Sequence, residues 1–304
     1  KISVISTSGP FIKSISTEKG NNGAEANGYY SADVRIKVSA TGGSANLKYM
    51  YYRLTSANNS GAVSEETEEH SGTADSFRLP NNAALGKWHK FEFSTLQTDK
   101  DDIIFEFDSK MFAAGKTDTI NVEVKCENDN ENAGDRFSVA VKDKIAIDNE
   151  GPTLKIASPI LGTSVNKIFD INGSCNDKGS GVQNVYVGYF KSDVTSITHT
   201  DIKNNLSDKA ELNKWNKLAV DGISWDGKFD SEIIHNGNDK KDYKLVLAAV
   251  DNLNNVSIIE HEIKIDQNTD RPIIRLQNLD LSSNGTIWHK SAFIYGTVSD
   301  DDSG

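Results

Sequence analysis

The sequence predicts an all-β protein in which a two-sheet sandwich is repeated along the chain. Apolar and polar residues alternate in short segments rich in Val, Ile and aromatic residues, which is the pattern of strands with one buried face. Gly, Asn and Asp cluster between these segments, where turns are expected. The sequence also matches itself over much of its length, so we expect the same unit to occur more than once.

Period-two alternation marks the individual strands. The alternating positions are Val34, Ile36, Val38; Ile120, Val122, Val124, Cys126; Phe137, Val139, Val141; and Val185, Val187, Tyr189. β-Branched and aromatic residues favour strands because they pack well on a pleated, half-buried surface. Residues 201–216 predict a short helix, but few helices are expected between the strands. This scarcity disfavours a parallel βαβ architecture.

The internal repeat is carried by two pairs of segments. Residues 162–181 (GTSVNKIFDINGSCNDKGSG) match residues 285–304 (GTIWHKSAFIYGTVSDDDSG) at a constant offset. The identical positions are Gly162/Gly285, Thr163/Thr286, Lys167/Lys290, Gly173/Gly296, Asp177/Asp300, Ser180/Ser303 and Gly181/Gly304. Residues 119–148 parallel residues 243–266, since each segment holds a strand, an Asn/Asp-rich turn and a second strand.

These matches predict four parts in a chain of 304 residues, which we expect to be a piece of a longer protein. About seven short strands in roughly 100 residues are typical of an immunoglobulin-like sandwich. The predicted parts are residues 1–9, the last strand and linker of a preceding repeat; 10–148, an immunoglobulin-like domain with a long insertion; 149–268, a second such domain; and 269–304, the N-terminal part of a further one.

Residues 147–182 resemble the opening of a bacterial immunoglobulin-like (BIg-type) repeat. They show that family's order of Asp-Asn, Pro, a strand, Pro, Gly, a strand, Gly, then Asp and Ser-Gly-Val, in IDNEGPTLKIASPILGTSVNKIFDINGSCNDKGSGV. Residues 242–266 resemble the closing strands of the family, with Asp251 and Asn255 in its Asp-x-x-x-Asn-x-Ser turn. The resemblance covers residues 149–268 throughout, residues 269–304 as far as they extend, and residues 10–148 mainly through the last two strands of that domain.

The resemblance implies a role, because repeats of this family build stalks of large bacterial surface proteins, adhesins and invasin-like proteins among them. We therefore expect a non-catalytic structural or adhesive segment that spaces or presents a binding region, located extracellularly or on the bacterial cell surface. Its nearest partners would be the neighbouring repeats of the same chain. Two alternatives stay open. One is a module that binds a glycan or host protein through the insertions at residues 55–88 and 192–215. The other is an accessory region of a large extracellular enzyme.

Composition and motif content speak against other classes of protein. The chain has 44 acidic and 33 basic residues and a net charge of −11, which is unsuited to binding nucleic acid. No apolar stretch approaches the length of a membrane-spanning helix. The six histidines show no HxH or HExxH spacing, and neither a P-loop nor a GxSxG motif occurs. We therefore predict no catalytic residues, no organic cofactor and no enzyme activity.

Several polar and aromatic residues have simple structural interpretations. The acidic runs at residues 65–69 and 99–102 are predicted to be a solvated loop and a charged turn, and His261 is predicted to face solvent from a strand. Cys126 and Cys175 fall in different repeats, so we expect buried free thiols, with an inter-repeat disulfide as the alternative. The tryptophans at positions 88 and 215 are predicted to be core anchors rather than sugar-stacking platforms.

One kind of chemistry remains, a calcium site at predicted junctions between repeats. In an immunoglobulin-like sandwich the incoming linker, the loop after the second strand and the loop before the last strand lie at the same end. The candidate ligands are Asp148, Asn149, Asp177 and Asp251 at one junction, and Asp266, Asp270 and Asp300 at the next. Carboxylates from separate segments suit Ca²⁺, which takes six to eight oxygen ligands. The alternative is that Asp and Asn occur in these loops only because they favour turns.

Overall fold

A computed structural model describes residues 9–57, 63–113, 116–208, 211–237, 239–267, 273–276 and 295–299. The protein is predominantly β, as the alternation predicts. Its internal contacts divide it into two compact units. The first comprises the chain up to Pro152 together with residues 177–183 and 250–256. The second comprises Thr153–Asn176, Asn184–Ala249 and the chain from Ser257 onward.

The first unit consists of two sheets. Its elements are β1 (Phe11–Lys19), β2 (Ala24–Ala26), β3 (Tyr29–Ser31), β4 (Asp33–Thr41), β5 (Leu47–Ser56), β6 (Thr67–Thr73), β7 (Ser76–Arg78), β8 (Trp88–Gln97), β9 (Asp99–Asp108), α1 (Lys110–Ala113), β10 (Thr117–Asn128), a 3-10 turn (Ala133–Asp135) and β11 (Val141–Asp148). The smaller sheet has the order β1-β4-β9-β7, and the larger has the order β2-β3-β11-β10-β5-β8-β6. Strands β3, β6 and β7 pair in parallel with β11, β8 and β9.

One hydrophobic core lies between these two sheets. Val34 and Ile36 on β4 face it from the smaller sheet, and Val122 on β10 faces it from the larger one. The rings of Tyr52 and Phe105, one from each sheet, stack with centroids 4.2 Å apart. The alternating positions predicted for β4 and β10 are therefore the buried ones, and the two sheets form a sandwich.

The second unit is also a β structure. Its strands are β12 (Thr153–Ser158), β13 (Ser164–Val165), β14 (Ile168–Asn176), β15 (Val182–Lys191), β16 (Trp215–Asp221), β17 (Ser224–Asp230), β18 (Lys241–Asp251) and β19 (Val256–Ile265). They are hydrogen-bonded in the order β12-β14-β17-β16-β15-β18-β19-β13. Tyr189 on β15 stacks on Phe229 of β17 at 3.9 Å between centroids. Strands β20 (Ile273–Leu276) and β21 (Gly296–Ser299) form a separate antiparallel pair.

The helix predicted at residues 201–216 is shorter than expected. Helix α2 spans His199–Asn204, and a capping box between Thr198 and Asp201 fixes its start. It ends before Asn205, whose carbonyl accepts a hydrogen bond from the Trp215 N–H at 2.8 Å. A further short helix, α3, spans Ser231–Ile234. Among the helices of the described ranges, none has the length and apolar character required to cross a lipid bilayer.

The strand predicted at residues 137–141 does not form as expected. β11 begins only at Val141, while Phe137 and Val139 are 49% and 87% exposed. The reason is that the segment is attached through Ser138, which exchanges two hydrogen bonds with the backbone of Cys126, each 2.9 Å long. The residues on either side of Ser138 consequently point away from the core.

The two acidic runs and His261 also differ from the predicted solvated loop, charged turn and solvent-facing histidine. Asp99 already opens β9, and the next residue, Lys100, is buried with its Nζ 2.9 Å from the Asp75 carboxylate. The run at residues 65–69 leads into β6 rather than forming a free loop. His261 is half-buried and shares the face of β19 that carries buried Ile263, so it does not simply face solvent.

The predictions for cysteine and tryptophan agree with the structure. Cys126 on β10 and Cys175 on β14 are both free and buried, each within its own unit. Trp88 and Trp215 are the first residues of β8 and β16 and are 2% and 0% exposed. Burial of both rings removes them as stacking platforms for a sugar.

An ion pair between buried Asp33 and half-exposed Arg78 leads to a pH prediction. The side chain of Asp33 is 6% exposed, and its Oδ1 accepts from Arg78 Nη2 at 2.6 Å. This hydrogen bond is the main cause that lowers the pKa of Asp33. A lowered pKa stabilises the fold above the unfolded-state pKa and loses that effect as pH falls through the folded-state pKa. We expect Asp33→Asn to cost about 1–2 kcal/mol at pH 7 and distinctly less at about pH 2.

Urea denaturation at both pH values measures this difference. Asp101→Asn is the control, since Asp101 is exposed on β9 of the same sheet. A loss of stability in Asp33→Asn that persists in acid would show that shape, and not charge, accounts for the effect.

Candidate metal centre

The end of strand β11 brings a carboxylate against two loops. Asp148 is the last residue of β11, Asp177 directly follows β14, and Asp251 is the last residue of β18. One carboxylate oxygen from each of the three lies within 4.8 Å of the other two. All three residues belong to the first compact unit. Three of the four residues predicted for the first calcium site therefore meet.

Each loop is shaped by hydrogen bonds to its own aspartate. Asp251 Oδ1 accepts from the backbone N–H of Leu253 at 2.9 Å and of Asn255 at 2.7 Å. Asp177 Oδ2 accepts from the N–H of Gly179 at 3.2 Å and of Gly181 at 2.5 Å. These are the turn-forming contacts that Asp favours. They do not exclude a ligand role, because they occupy one oxygen of each carboxylate and leave a lone pair on the other oxygen for an ion.

Asp148 ties both loops to the sheet. It is fully buried, its Oδ2 accepts from the Ser180 N–H at 2.8 Å, and its Oδ1 accepts from Thr117 Oγ1 at 3.0 Å. Asn255 Nδ2 donates to the Asp148 carbonyl at 3.1 Å and to Asp251 Oδ2 at 2.7 Å. The amide of Asn255 thus joins the two fully buried aspartates, a role that its place in the Asp-x-x-x-Asn turn did not reveal.

The three carboxylates are electrostatically costly together. Burial is the largest cause that raises the pKa of both Asp177 and Asp251, and the negative charge of Asp148 raises each pKa further. The hydrogen-bond donors described above are neutral groups, which stabilise a carboxylate but leave its charge in place. A divalent cation would remove the mutual repulsion.

Close packing around Asp148 explains why position 179 is a glycine, and it buries the next residue, Ser180. A Cβ on Gly179 would lie 2.3 Å from Asp148 Cγ, so a side chain at this position would push the loop away from the carboxylate. Ser180 is fully buried, and its Oγ has no hydrogen-bond partner among the described residues. Its carbonyl accepts from Asn27 Nδ2 at 2.6 Å and from Asn252 Nδ2 at 2.8 Å.

Of the other predicted ligands, Asn149 and Asp266 do not join this cluster. Asn149 is buried, but its Oδ1 accepts from Ser109 Oγ at 2.9 Å. Asp266 belongs to the second unit, where its carboxylate lies 3.7 Å from Lys240 Nζ. Asp270 and Asp300 lie outside the described residues.

The geometry of the cluster fits a hard cation. Ca²⁺ binds oxygen at 2.3–2.6 Å, so two ligands of one ion lie at most about 5 Å apart. The oxygens of Asp148, Asp177 and Asp251 all lie within 4.8 Å of one another, so their separations fall within that limit. Solvent molecules would complete the coordination, since Asp177 is only half-buried.

A second group of potential ligands was missed by sequence reasoning. Glu68, His70 and His89 place one ligand atom each within 4.8 Å of one another. The local signal was a Glu-x-His pattern, which puts two ligand types on one face of a strand. The sequence did not predict this cluster for two reasons. Residues 65–69 are predicted to be a loop, and His89 lies on a different strand, β8.

Comparisons with known proteins identify no family. No family model matches the sequence, and no curated protein matches it. Among solved structures, dimeric latent PorU from Porphyromonas gingivalis aligns at 12% identity and a TM-score of 0.24, covering 88% of this chain and 25% of that one. This chain thus spans a quarter of PorU. The CupB6 tip adhesin from Pseudomonas aeruginosa aligns at 8% identity and a TM-score of 0.18, covering 84% of this chain and 98% of that one. At these TM-scores neither alignment bears on function.

Proposed function

We propose that this chain is a non-catalytic structural segment of a bacterial surface or secreted protein. Its tandem immunoglobulin-like sandwiches would space or present a binding region, and one calcium ion would bind at Asp148, Asp177 and Asp251. The observation that carries the proposal is that the same two runs of neighbouring strands occur in both units. A segment in which one arrangement of strands recurs suits a mechanical role.

These runs can be assigned to the strands of an immunoglobulin fold, which supports the proposal. In that fold strands A, B and E pair in one sheet, and G, F and C pair in the other, with C′ added in the variable type. Strands β1-β4-β9 correspond to A-B-E, and β11-β10-β5-β8 correspond to G-F-C-C′. In the second unit β12-β14-β17 and β19-β18-β15-β16 follow the same two orders, and a pairing of β16 with β17 joins them into one sheet. A short strand also pairs in parallel with the last strand of each, β3 with β11 and β13 with β19.

Calcium would add to the mechanical role by cross-linking the chain. Asp148, Asp177 and Asp251 are far apart in sequence, and each ends or directly follows a strand. An ion held by all three would fasten the loops after β14 and β18 to the end of β11. Without the ion, repulsion among the three carboxylates favours separation of these loops.

The insertion of the first unit supports a structural role over a free binding loop. Residues 55–88 contribute β6 to the edge of the larger sheet and β7 to the edge of the smaller one. In the second unit, residues 192–215 contain helix α2, and its Ile202 is buried. Both insertions are thus partly integrated into their units.

Single-molecule pulling from the two ends of the chain tests the proposal. Tandem sandwiches unfold one at a time, so we expect two separate steps. Their lengths follow from roughly 140 residues at 9–148 and roughly 115 at 153–267, which give about 45 and about 35 nm of released chain. A single step, or extension without resolved steps, would contradict a chain of independent mechanical units.

A binding screen separates this role from that of a ligand-binding module. The immobilised chain is exposed to a glycan array and to host extracellular proteins. The structural role predicts no specific ligand. Binding that is lost when exposed residues of the insertions, such as Val63 and Leu206, are changed to serine would favour the module instead.

A further inference from the structure

The Glu68, His70 and His89 cluster lies in the first unit, at the edge of the larger sheet. Strand β6 is the last strand in the order of that sheet and pairs in parallel with β8. The register places Glu68 opposite His89, and His70 follows two residues later on β6. Because side chains at i and i+2 share one face of a strand, Glu68 and His70 both lie beside His89.

The ligand atoms of the cluster converge on one point. His70 Nε2 is 3.0 Å from His89 Nδ1, and Glu68 Oε2 is 3.6 Å from the same nitrogen. We propose that Glu68, His70 and His89 form a binding site for a divalent transition metal ion, with Zn²⁺ as the ion that fits best. The site is distinct from the oxygen cluster at Asp148.

The hydrogen bond of His89 directs the correct nitrogen to the site. Its Nε2 lies 3.0 Å from the carbonyl oxygen of Ala84. A carbonyl only accepts, so Nε2 carries the proton and Nδ1 presents its lone pair towards His70 and Glu68. A backbone carbonyl on the far nitrogen is a common partner of metal-binding histidines, since it fixes both tautomer and ring orientation.

Packing holds the ligands near the required geometry. His89 is 1% exposed, and the ring of His70 stacks on Phe91 with centroids 4.8 Å apart and 14° between the planes. Zinc–nitrogen bonds of 2.0–2.1 Å in a tetrahedral site separate two nitrogens by about 3.3 Å. The nitrogens of His70 and His89 need to move apart by only about 0.3 Å, which small side-chain rotations supply.

The donor set decides which ion binds. Ca²⁺ prefers oxygen ligands only, whereas two imidazole nitrogens and one carboxylate oxygen are ligands that Zn²⁺ accepts. Three protein ligands leave a fourth tetrahedral position for water. Glu68 is 43% exposed, so this position has access to solvent.

A bound ion would fasten the edge strand to the sheet. The parallel ladder between β6 and β8 is irregular, with a register shift between Glu69 and Thr73. A metal bridge from Glu68 and His70 to His89 would add a link close to that irregularity. We therefore expect zinc to slow the exchange of backbone amides on β6.

Titration of the untagged, metal-free chain with Zn²⁺ tests the proposal, with excess calcium present to occupy the oxygen cluster. We expect one zinc ion per chain, and Co²⁺ should give visible d–d bands that Zn²⁺ abolishes. His70→Gln and Glu68→Gln should each weaken zinc binding at least tenfold, because each removes one of three protein ligands.

Glu69→Gln is the matched control, because Glu69 is the exposed neighbour on β6 and pairs with Lys90. It should bind zinc as the unmodified chain does. Hydrogen exchange provides a second readout, with zinc protecting β6 amides in the unmodified chain but not in His70→Gln. Absence of zinc binding, or binding that His70→Gln leaves unchanged, would overturn the proposal.

Discussion

Replacing Gly173 by alanine will destabilise the second unit by about 3 kcal/mol or more. A Cβ at this position of β14 would lie 2.0 Å from the carbonyl oxygen of Lys155 and 2.4 Å from Cζ2 of Trp225. Lys155 belongs to the neighbouring strand β12, and Trp225 is 1% exposed on β17. Neither a backbone carbonyl in a ladder nor a buried indole can move aside cheaply, so the strands on both sides must shift.

Calorimetry and hydrogen exchange measure this effect. A loss of 3 kcal/mol corresponds to a melting temperature lower by about 10 °C for a unit of this size. Amides of β12, β14 and β17 should exchange faster. Gly134→Ala is the matched control, since a Cβ there meets nothing within 4 Å and the backbone does not have a positive φ. A loss below 1 kcal/mol for Gly173→Ala would show that β12 and β14 tolerate a wider spacing.

The internal repeat in the sequence marks Gly173 as a special position, but only the structure shows why a glycine is needed there. The match of Gly173 with Gly296 marked a special position, but the cause is the indole of Trp225, which arrives from a different strand. Strand faces were predictable for the opposite reason. Alternation along Val185, Val187 and Tyr189 depends on one strand alone, and all three are buried.

The two candidate metal sites differ in how far sequence could predict them. Asp148, Asp177 and Asp251 follow from loop positions in a known topology, so their approach could be expected once that topology was inferred. The pairing of Glu68 with His89 depends instead on a parallel register between β6 and β8, for which no periodic signal exists. The exposure of Val139 was unpredictable on similar grounds, because it depends on the hydrogen bonds of the adjacent Ser138.

Calcium will raise the melting temperature of the unmodified chain, and Asp177→Asn will lose that response. An ion present at a hundredfold excess over its dissociation constant stabilises the fold by about 2.7 kcal/mol. For a unit of this size that is a rise of roughly 5–10 °C. The asparagine keeps one oxygen to accept from the N–H groups of Gly179 and Gly181, so the turn after β14 should remain.

The change in stability that Asp177→Asn causes without calcium is the more specific part of this prediction. Burial and the charge of Asp148 raise the pKa of Asp177, which means that the ionised form is disfavoured in the fold. Asp177→Asn removes this charge. In the presence of chelator the variant should therefore be as stable as the unmodified chain, or more stable. In calcium the order should reverse, because the variant lacks one ligand. Thermal melts with chelator and with calcium compare the two proteins directly.

Asp143→Asn separates the loss of a ligand from the loss of any acidic residue. Asp143 lies on β11, five residues before Asp148, and its Oδ1 accepts only from the N–H of Lys144 among the bonds described. It should keep the full calcium response. If Asp177→Asn were less stable both with chelator and with calcium, the carboxylate would be needed for the turn itself. Asp and Asn would then occupy these loops for their turn-forming hydrogen bonds, and the cluster would need no cation.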